Sequence, residues 1–170
     1  MSDKPTLAKL TIGSLDDSSI NVEAQYNPKE LQVDRTVPWA KPQASNKAGS
    51  GGSPGEIRLE FTGAEGRNMQ VELLFDGYET NGAGVTDNIT KLSTLATVRG
   101  SDASASDERR PHHCVVSWGD RGLPKFKCVI ESLSVKYQMF SPEGKPLRAT
   151  ATVKLKEADS LSVKKAAGAK

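Results

Sequence analysis

The sequence predicts a mainly β protein: an antiparallel β-sandwich or barrel with one flanking α-helix and a long C-terminal β-hairpin. Three observations carry the prediction. Apolar and polar residues alternate in a series of short runs separated by turn residues. Only one stretch, from Val85 to Val98, spaces its apolar residues as a helix does. The last patterned segment is a pair of alternating runs of about nine residues around a Pro-Glu-Gly turn, enough for a hairpin roughly 30 Å long.

In chain order, Leu7 to Leu15 reads as a first strand with Leu10 and Ile12 on one face. Ile20 to Gln25 reads as a second, where Ile20, Val22 and Ala24 alternate with Asn21, Glu23 and Gln25. Tyr26-Asn27-Pro28-Lys29 is a turn, because Pro28 fixes its own φ and keeps Asn27 out of the helical region. Leu31 to Val37 is extended and closes at Pro38-Trp39. A loop rich in Ser, Gly and Ala fills 41–55 and lacks the Gly-Lys-Ser/Thr of a phosphate loop. Glu56 to Phe61 puts Ile57, Leu59 and Phe61 on one face, and Asn68 to Phe75 does the same with Met69, Val71, Leu73 and Phe75. Gly63-Ala64-Glu65-Gly66 lies between these two runs and predicts that they pair as a hairpin.

Val85, Ile89, Leu92 and Leu95 or Ala96 form the helical stripe; Thr86 or Asp87 is expected to cap its start and Gly100 its end. A second polar loop covers 99–110. Cys114 to Trp118 and Phe126 to Ile130 are two further strands. In the final hairpin Leu133, Val135, Tyr137 and Met139 are expected to pack with Leu147, Ala149, Ala151, Val153 and Leu155. Ser132, Ser134, Lys136, Gln138, Arg148, Thr150, Thr152, Lys154 and Lys156 take the other, wet face. Seven to nine strands result. The β domain spans 1–157, and 158–170 reads as a basic, Ala-rich tail.

Composition narrows the function. The chain has 170 residues, one ordinary domain, with 36% apolar and 26% charged residues. Lys and Arg number 23 against 21 Asp and Glu, a net charge of +2, without the basic excess of a nucleic-acid protein. No apolar run approaches the ~20 residues of a membrane span, and the first residues carry no apolar signal core. Synthesis in the cytoplasm is expected, with no membrane partner.

The chemistry-bearing residues are few. His112, His113, Cys114 and Cys128 hold zinc-type donors. Adjacent His112 and His113 on a strand point to opposite faces, so the reading is two buried thiols without a metal, and a reduced pair in a reducing compartment. Ser117 with His113, or Cys114 with a histidine, could be drawn as nucleophile and base, but no nucleophile elbow surrounds Ser117. Lys154, Lys156, Lys164, Lys165 and Lys170 could contact phosphates, but aromatic residues are only 5%, too few for stacking platforms, so they read as a solvated face and tail. No catalysis and no cofactor are expected.

Several segments together resemble the tube-initiator proteins of contractile injection systems, the phage-tail-like particles. The resemblance lies in Gln25-Tyr26-Asn27-Pro28, in Leu73-Leu74-Phe75-Asp76-Gly77-Tyr78 (with Gly77 where Thr is usual), and in the helix from Val85. It continues through Pro111 to Gly119 with Trp118-Gly119, through Phe126 to Phe140, and through Gly144-Lys145-Pro146-Leu147-Arg148-Ala149. It runs in order from about residue 20 to 157. The resemblance implies a fold of the phage-tail-tube type and a homohexameric ring whose hairpins line a lumen. Implied partners are a trimeric spike or hub protein on one side, a tube or second tube-initiator protein on the other, and further baseplate components. Many members continue into a LysM module after the position of Glu157, and none is expected here. The rival reading from another class is a monomeric β-barrel binding module. Against it, Trp39, Trp118, Tyr26, Tyr78 and Tyr137 are scattered over separate segments rather than gathered on one concave face.

Overall fold

The computed structural model describes residues 7–42, 57–99, 109–119 and 122–162. Most of the two expected loops (43–55 and 100–108) and the end of the tail (163–170) lie outside the described residues.

The strands are β1 (Leu10–Ser14), β2 (Asn21–Glu23), β3 (Gln32–Asp34), β4 (Trp39–Ala40), β5 (Glu60–Phe61), β6 (Asn68–Asp76), β7 (Cys114–Trp118), β8 (Leu123–Phe140) and β9 (Pro146–Glu157). One helix, α1 (Val85–Ala96), follows a short 3-10 turn at Tyr78–Thr80. Seven strands form one antiparallel sheet in the order β2-β1-β7-β8-β9-β6-β3, curled into a half-barrel. The pair β4-β5 stands apart as a two-stranded ribbon. The expected sandwich or barrel thus takes the form of a single curled sheet.

The concave side of the curl holds the core. Alternate residues of β6 (Met69, Val71, Leu73, Phe75) and of β9 (Ala149, Ala151, Val153, Leu155) are buried on it. Val85, Ile89, Leu92 and Leu95 of α1 are buried in the same cluster. Ala149 and Ala151, both fully buried and without bulk, leave room for the helix against β9.

Five expectations need correction. The described part of the run 56–61, residues 57–61, does not pair with β6, whose strand partners are β9 along its length and β3 at Asn68–Gln70; its end, β5, pairs with β4 instead. Ile57, Leu59 and Phe61 therefore face solvent rather than the core. Thr86 and Asp87 do not cap α1: its cap is Gly84, whose φ of 80° suits glycine, and no side chain bonds there. The helix ends at Ala96 with Thr97 as the following cap, its hydroxyl donating to the Ser93 carbonyl at 2.7 Å, short of Gly100. The first strand starts at Leu10, and Leu7 is exposed.

The fifth correction concerns the hairpin. Phe126–Ile130 and Leu133–Met139 are not separate strands but parts of β8. Its register shifts between Ile130 and Ser132, so Glu131 is an extra, bulged residue. Even-numbered residues are buried before the bulge, and odd-numbered ones face the same side after it. Near the turn the core runs out: Leu133 and Val135 are part-buried, whereas Tyr137 and Met139 are 46% and 44% exposed, not packed as expected.

Candidate assembly interface

The long hairpin presents three surfaces. Its convex face is built from cross-strand rows that run onto β6. Ser132 lies opposite Lys154, which lies opposite Gln70; Ser134, Thr152 and Glu72 form the next row. Lys136, Thr150 and Leu74 follow, then Gln138, Arg148 and Asp76. Lys156, opposite Asn68, extends the face beyond Lys154. Ser132, Ser134, Lys136, Lys154 and Lys156 are exposed, and Gln138, Arg148, Thr150 and Thr152 are half-buried among their neighbours. The face is polar and weakly basic.

The second surface is a strand edge. β8 pairs with β7 only from Leu123 to Cys128 and with β9 from Cys128 to Phe140. Along 129–140 its other edge therefore carries no strand among the described residues. The third is the apolar tip, where Tyr137, Met139 and Phe140 are exposed. Met139 adopts a left-handed φ of 55°, and Gly144 one of 82° in the turn. The Ser141 hydroxyl accepts a bond from the Lys145 N–H at 3.2 Å and helps close that turn.

Several residues of the resemblance are clips that hold this sheet in shape. Asp76 accepts from Arg148 Nη2 at 2.6 Å and Nε at 3.2 Å, tying β6 to β9. It also accepts from the Tyr78 N–H, which fixes the start of the 3-10 turn. These bonds, that to Tyr78 first and then Arg148, lower the Asp76 pKa. Arg148 thus spends its charge on a partner rather than on the open face. The Gln25 amide completes both backbone groups of Asp76, donating to its carbonyl at 2.7 Å and accepting from its N–H at 2.8 Å. The Asn27 amide does the same for the start of β1, accepting from the Leu10 N–H and donating to the Ala8 carbonyl. The Trp118 indole donates to that carbonyl as well. Gly119 has a φ of 64° and would place a Cβ only 3.0 Å from Ala8 Cβ. Phe75 is fully buried opposite Ala149. Tyr26 is exposed, and Pro28 and Pro146 are half-buried at turns.

Two ion clusters are not legible in the sequence, because nothing marks partners more than 80 positions apart. Asp16 accepts from both Arg110 guanidinium nitrogens at 2.8 and 3.0 Å and from the His113 N–H at 2.8 Å, with Arg99 Nη1 at 3.4 Å. The Arg110 bonds hold its carboxyl far below the usual carboxylate range. Glu157 binds Arg67 through its backbone N–H and guanidinium, and its pKa falls to about 2, chiefly through that guanidinium. The Arg67 guanidinium carbon also stacks 5.2 Å from the Phe126 ring centre, so β6 and β9 are clamped at the end opposite Asp76.

The residues with metal-type donors are separated by their bonds. His112 Nδ1 lies 2.8 Å from Ser14 Oγ, and His113 Nε2 lies 2.7 Å from the Ala158 carbonyl. Cys114 and Cys128 face each other across β7 and β8 as free, fully buried thiols. Burial pushes both up to about 12. Ser117 sits on β7 opposite Thr11. Lys164, Lys165 and Lys170 lie outside the described residues.

A curled antiparallel sheet with one helix, a wet convex face and a long bare strand edge suits a repeating assembly. A family model described as contractile injection system tube protein matches residues 6–166. The chain belongs to the contractile injection system tube protein family. It is therefore a structural component of an assembled, multi-subunit contractile injection particle. No curated protein matches the chain. No helix among the described residues is long and apolar enough to cross a membrane.

Proposed function

We propose that this tube-family protein is a tube initiator: a homohexameric ring that joins the spike or hub to the inner tube and starts tube polymerisation. The observation that carries the reading is the 129–140 half of β8, a strand edge open to a neighbour beside a face of serines, threonines and lysines. From β8 outward the sheet runs β8, β9, β6 and β3, with β3 level with the bulge at Val129–Ser132. Four strands alternating in direction end with β3 running opposite to β8. Rotation about a ring axis preserves direction, so β3 of one copy meets β8 of the next as an antiparallel pair, and main-chain bonds close the ring.

In that ring Ser132, Ser134, Lys136, Gln138, Thr150, Thr152, Lys154 and Lys156 line the lumen, with Arg148 held at its rim by Asp76. The hub lies on one side, tube or second-initiator subunits on the other, and baseplate components around it. The ring is assembled from chains made in the bacterial cytoplasm. It performs no catalysis and needs no cofactor, nucleic acid or membrane. The test is the mass of the purified full-length chain by mass photometry, with negative-stain imaging of the particles. Six-membered rings that shorten the lag of tube assembly support the reading. A strict monomer at all concentrations, as the binding-module alternative requires, or a ring of three, overturns it.

A further inference from the structure

Cys114 of β7 and Cys128 of β8 stand directly opposite each other, in the cross-strand row Ser14, Cys114, Cys128, Glu157. Both are free and fully buried. The backbone on either side shows what kind of pair this is. The Ala158 N–H donates to the Lys127 carbonyl at 3.0 Å, so Lys127 turns its polar groups towards β9. The Leu15 N–H donates to the His113 carbonyl at 2.7 Å, so His113 turns its own towards β1. Backbone polar groups alternate sides along a strand. Cys128 and Cys114 therefore turn theirs towards each other and form a hydrogen-bonded pair.

Such a pair holds its Cα atoms about 5.5 Å apart, inside the roughly 4.4–6.8 Å that a disulfide spans. Its Cβ atoms lie near the upper end of the cross-strand range, about 5.5 Å, whereas a disulfide needs about 3.5–4.5 Å. A bond closed across that gap draws the strands together by about 1 Å, which strains it and makes it readily reduced. Irregular pairing flanks the site and lets β7 and β8 shift locally: the register slips between Val116 and Trp118 on one side and between Ile130 and Ser132 on the other. Closure also gives up the bond that Cys114 Sγ donates to the His112 carbonyl at 3.4 Å.

We propose that Cys114 and Cys128 are the site of a reversible cross-strand disulfide, a redox-sensitive staple between the β2-β1-β7 part of the sheet and the β8-β9-β6-β3 part that carries the 129–140 edge. The oxidant is a small-molecule disulfide of the glutathione type. One cysteine thiolate attacks a sulfur of that disulfide, its S–S bond breaks, and one small thiol leaves. The other cysteine thiolate attacks the protein sulfur of the mixed disulfide and expels the second small thiol. Two protein thiols are oxidised, one small disulfide is reduced to two thiols, and the two cysteine protons end on those thiols. Burial pushes both cysteines up to about 12, so the exchange waits for local opening of β7 from β8. The staple does not depend on the ring reading.

The test uses the full-length chain in urea just below its unfolding transition, where opening is frequent and the native circular dichroism spectrum persists. Samples kept reduced and samples refolded in glutathione disulfide are brought to equilibrium in a series of glutathione buffers, quenched with acid, alkylated and digested for mass spectrometry. Expected is a peptide joining 114 to 128 and lighter by two hydrogens than the dithiol pair. The two series should meet at one midpoint, closed where glutathione disulfide dominates and open where reduced glutathione does. Cys128→Ala checks that the oxidant reaches the strand: in the same buffers it should take one glutathione at Cys114. No internal bond in the parent chain, with that adduct in the variant, overturns the inference. So do links between chains, an internal bond that abolishes the native spectrum, and a bond that stays closed in reduced glutathione.

Discussion

A lysine moved by one position along β9 tests the register on which the interface depends. Val153 is fully buried, between Leu133 of β8 and Val71 of β6. Val153→Lys loses the burial of a valine, about 1.5–3 kcal/mol. It also places a charge without a partner in the core, costing about 3–5 kcal/mol more unless the chain snorkels out. The loss is comparable to the ~5–15 kcal/mol stability of a whole domain, so this variant unfolds or is recovered as aggregate. Thr152 points to the convex face, between Ser134 and Glu72. Thr152→Lys faces Glu72 across the strands and shifts stability by less than about 1 kcal/mol, in the favourable direction. Urea unfolding followed by far-ultraviolet circular dichroism measures both. Equal midpoints, or a less stable Thr152→Lys, would mean that the assigned register is off by one residue.

Three other outcomes are expected. Ser14 Oγ accepts from the Asp16 and Asp17 N–H groups at 3.0 Å each, which leaves its own proton for His112 Nδ1. Burial, then Arg99, depress the His112 pKa below 6.5. The unfolded chain therefore binds a proton that the folded one refuses, and stability falls as pH drops below 6.5. Glu157 adds its own loss only as pH falls from 4.5 towards 2. Thermal midpoints of His112→Asn should be flat across the first interval and keep the second drop. Gly77→Thr, the residue usual in the resembling sequences, should cost about 1–3 kcal/mol in the same urea assay. A Cβ there would meet Gly82 Cα at 2.8 Å and the Ala83 carbonyl at 3.0 Å, both backbone. Cys114 and Cys128 should react with a thiol reagent only at the rate of unfolding, since both are fully buried and pushed up to about 12; fast labelling of the native chain would contradict that.

What the sequence discloses depends on the range of the cause. β6, α1 and β9 were legible because a single period persists over nine to twelve residues in each. β8 reads as two strands because its period slips at Glu131, and a slipped period looks like a strand end until a partner is seen to run through it. Ile57, Leu59 and Phe61 show the limit of alternation: it marks one apolar face and is silent on what lies against that face. The residues of the resemblance were visible as a pattern without their work. Only the fold reveals that the Gln25 and Asn27 amides stand in for strand partners at Asp76 and Leu10. Asp16 was invisible, since its partner Arg110 lies 94 positions away.

The surfaces left bare require different surroundings, and that constrains any assembly. Covering the convex face with a second sheet would strip water from Lys136, Lys154, Lys156 and Glu72 and cost several kcal/mol for each charge left without a partner. The 129–140 edge of β8 gains from a neighbour's backbone and from little else. The ribbon gains only from apolar side chains. Face-to-face stacking satisfies the ribbon at the expense of the lysines. Edge-to-edge joining of two copies about a two-fold axis satisfies one edge and leaves another open. Head-to-tail joining gives the 129–140 edge of every copy a partner and leaves the lysines in water. A head-to-tail repeat, closed as a ring or continued as a stack, is thus compatible with both the open edge and the charged face.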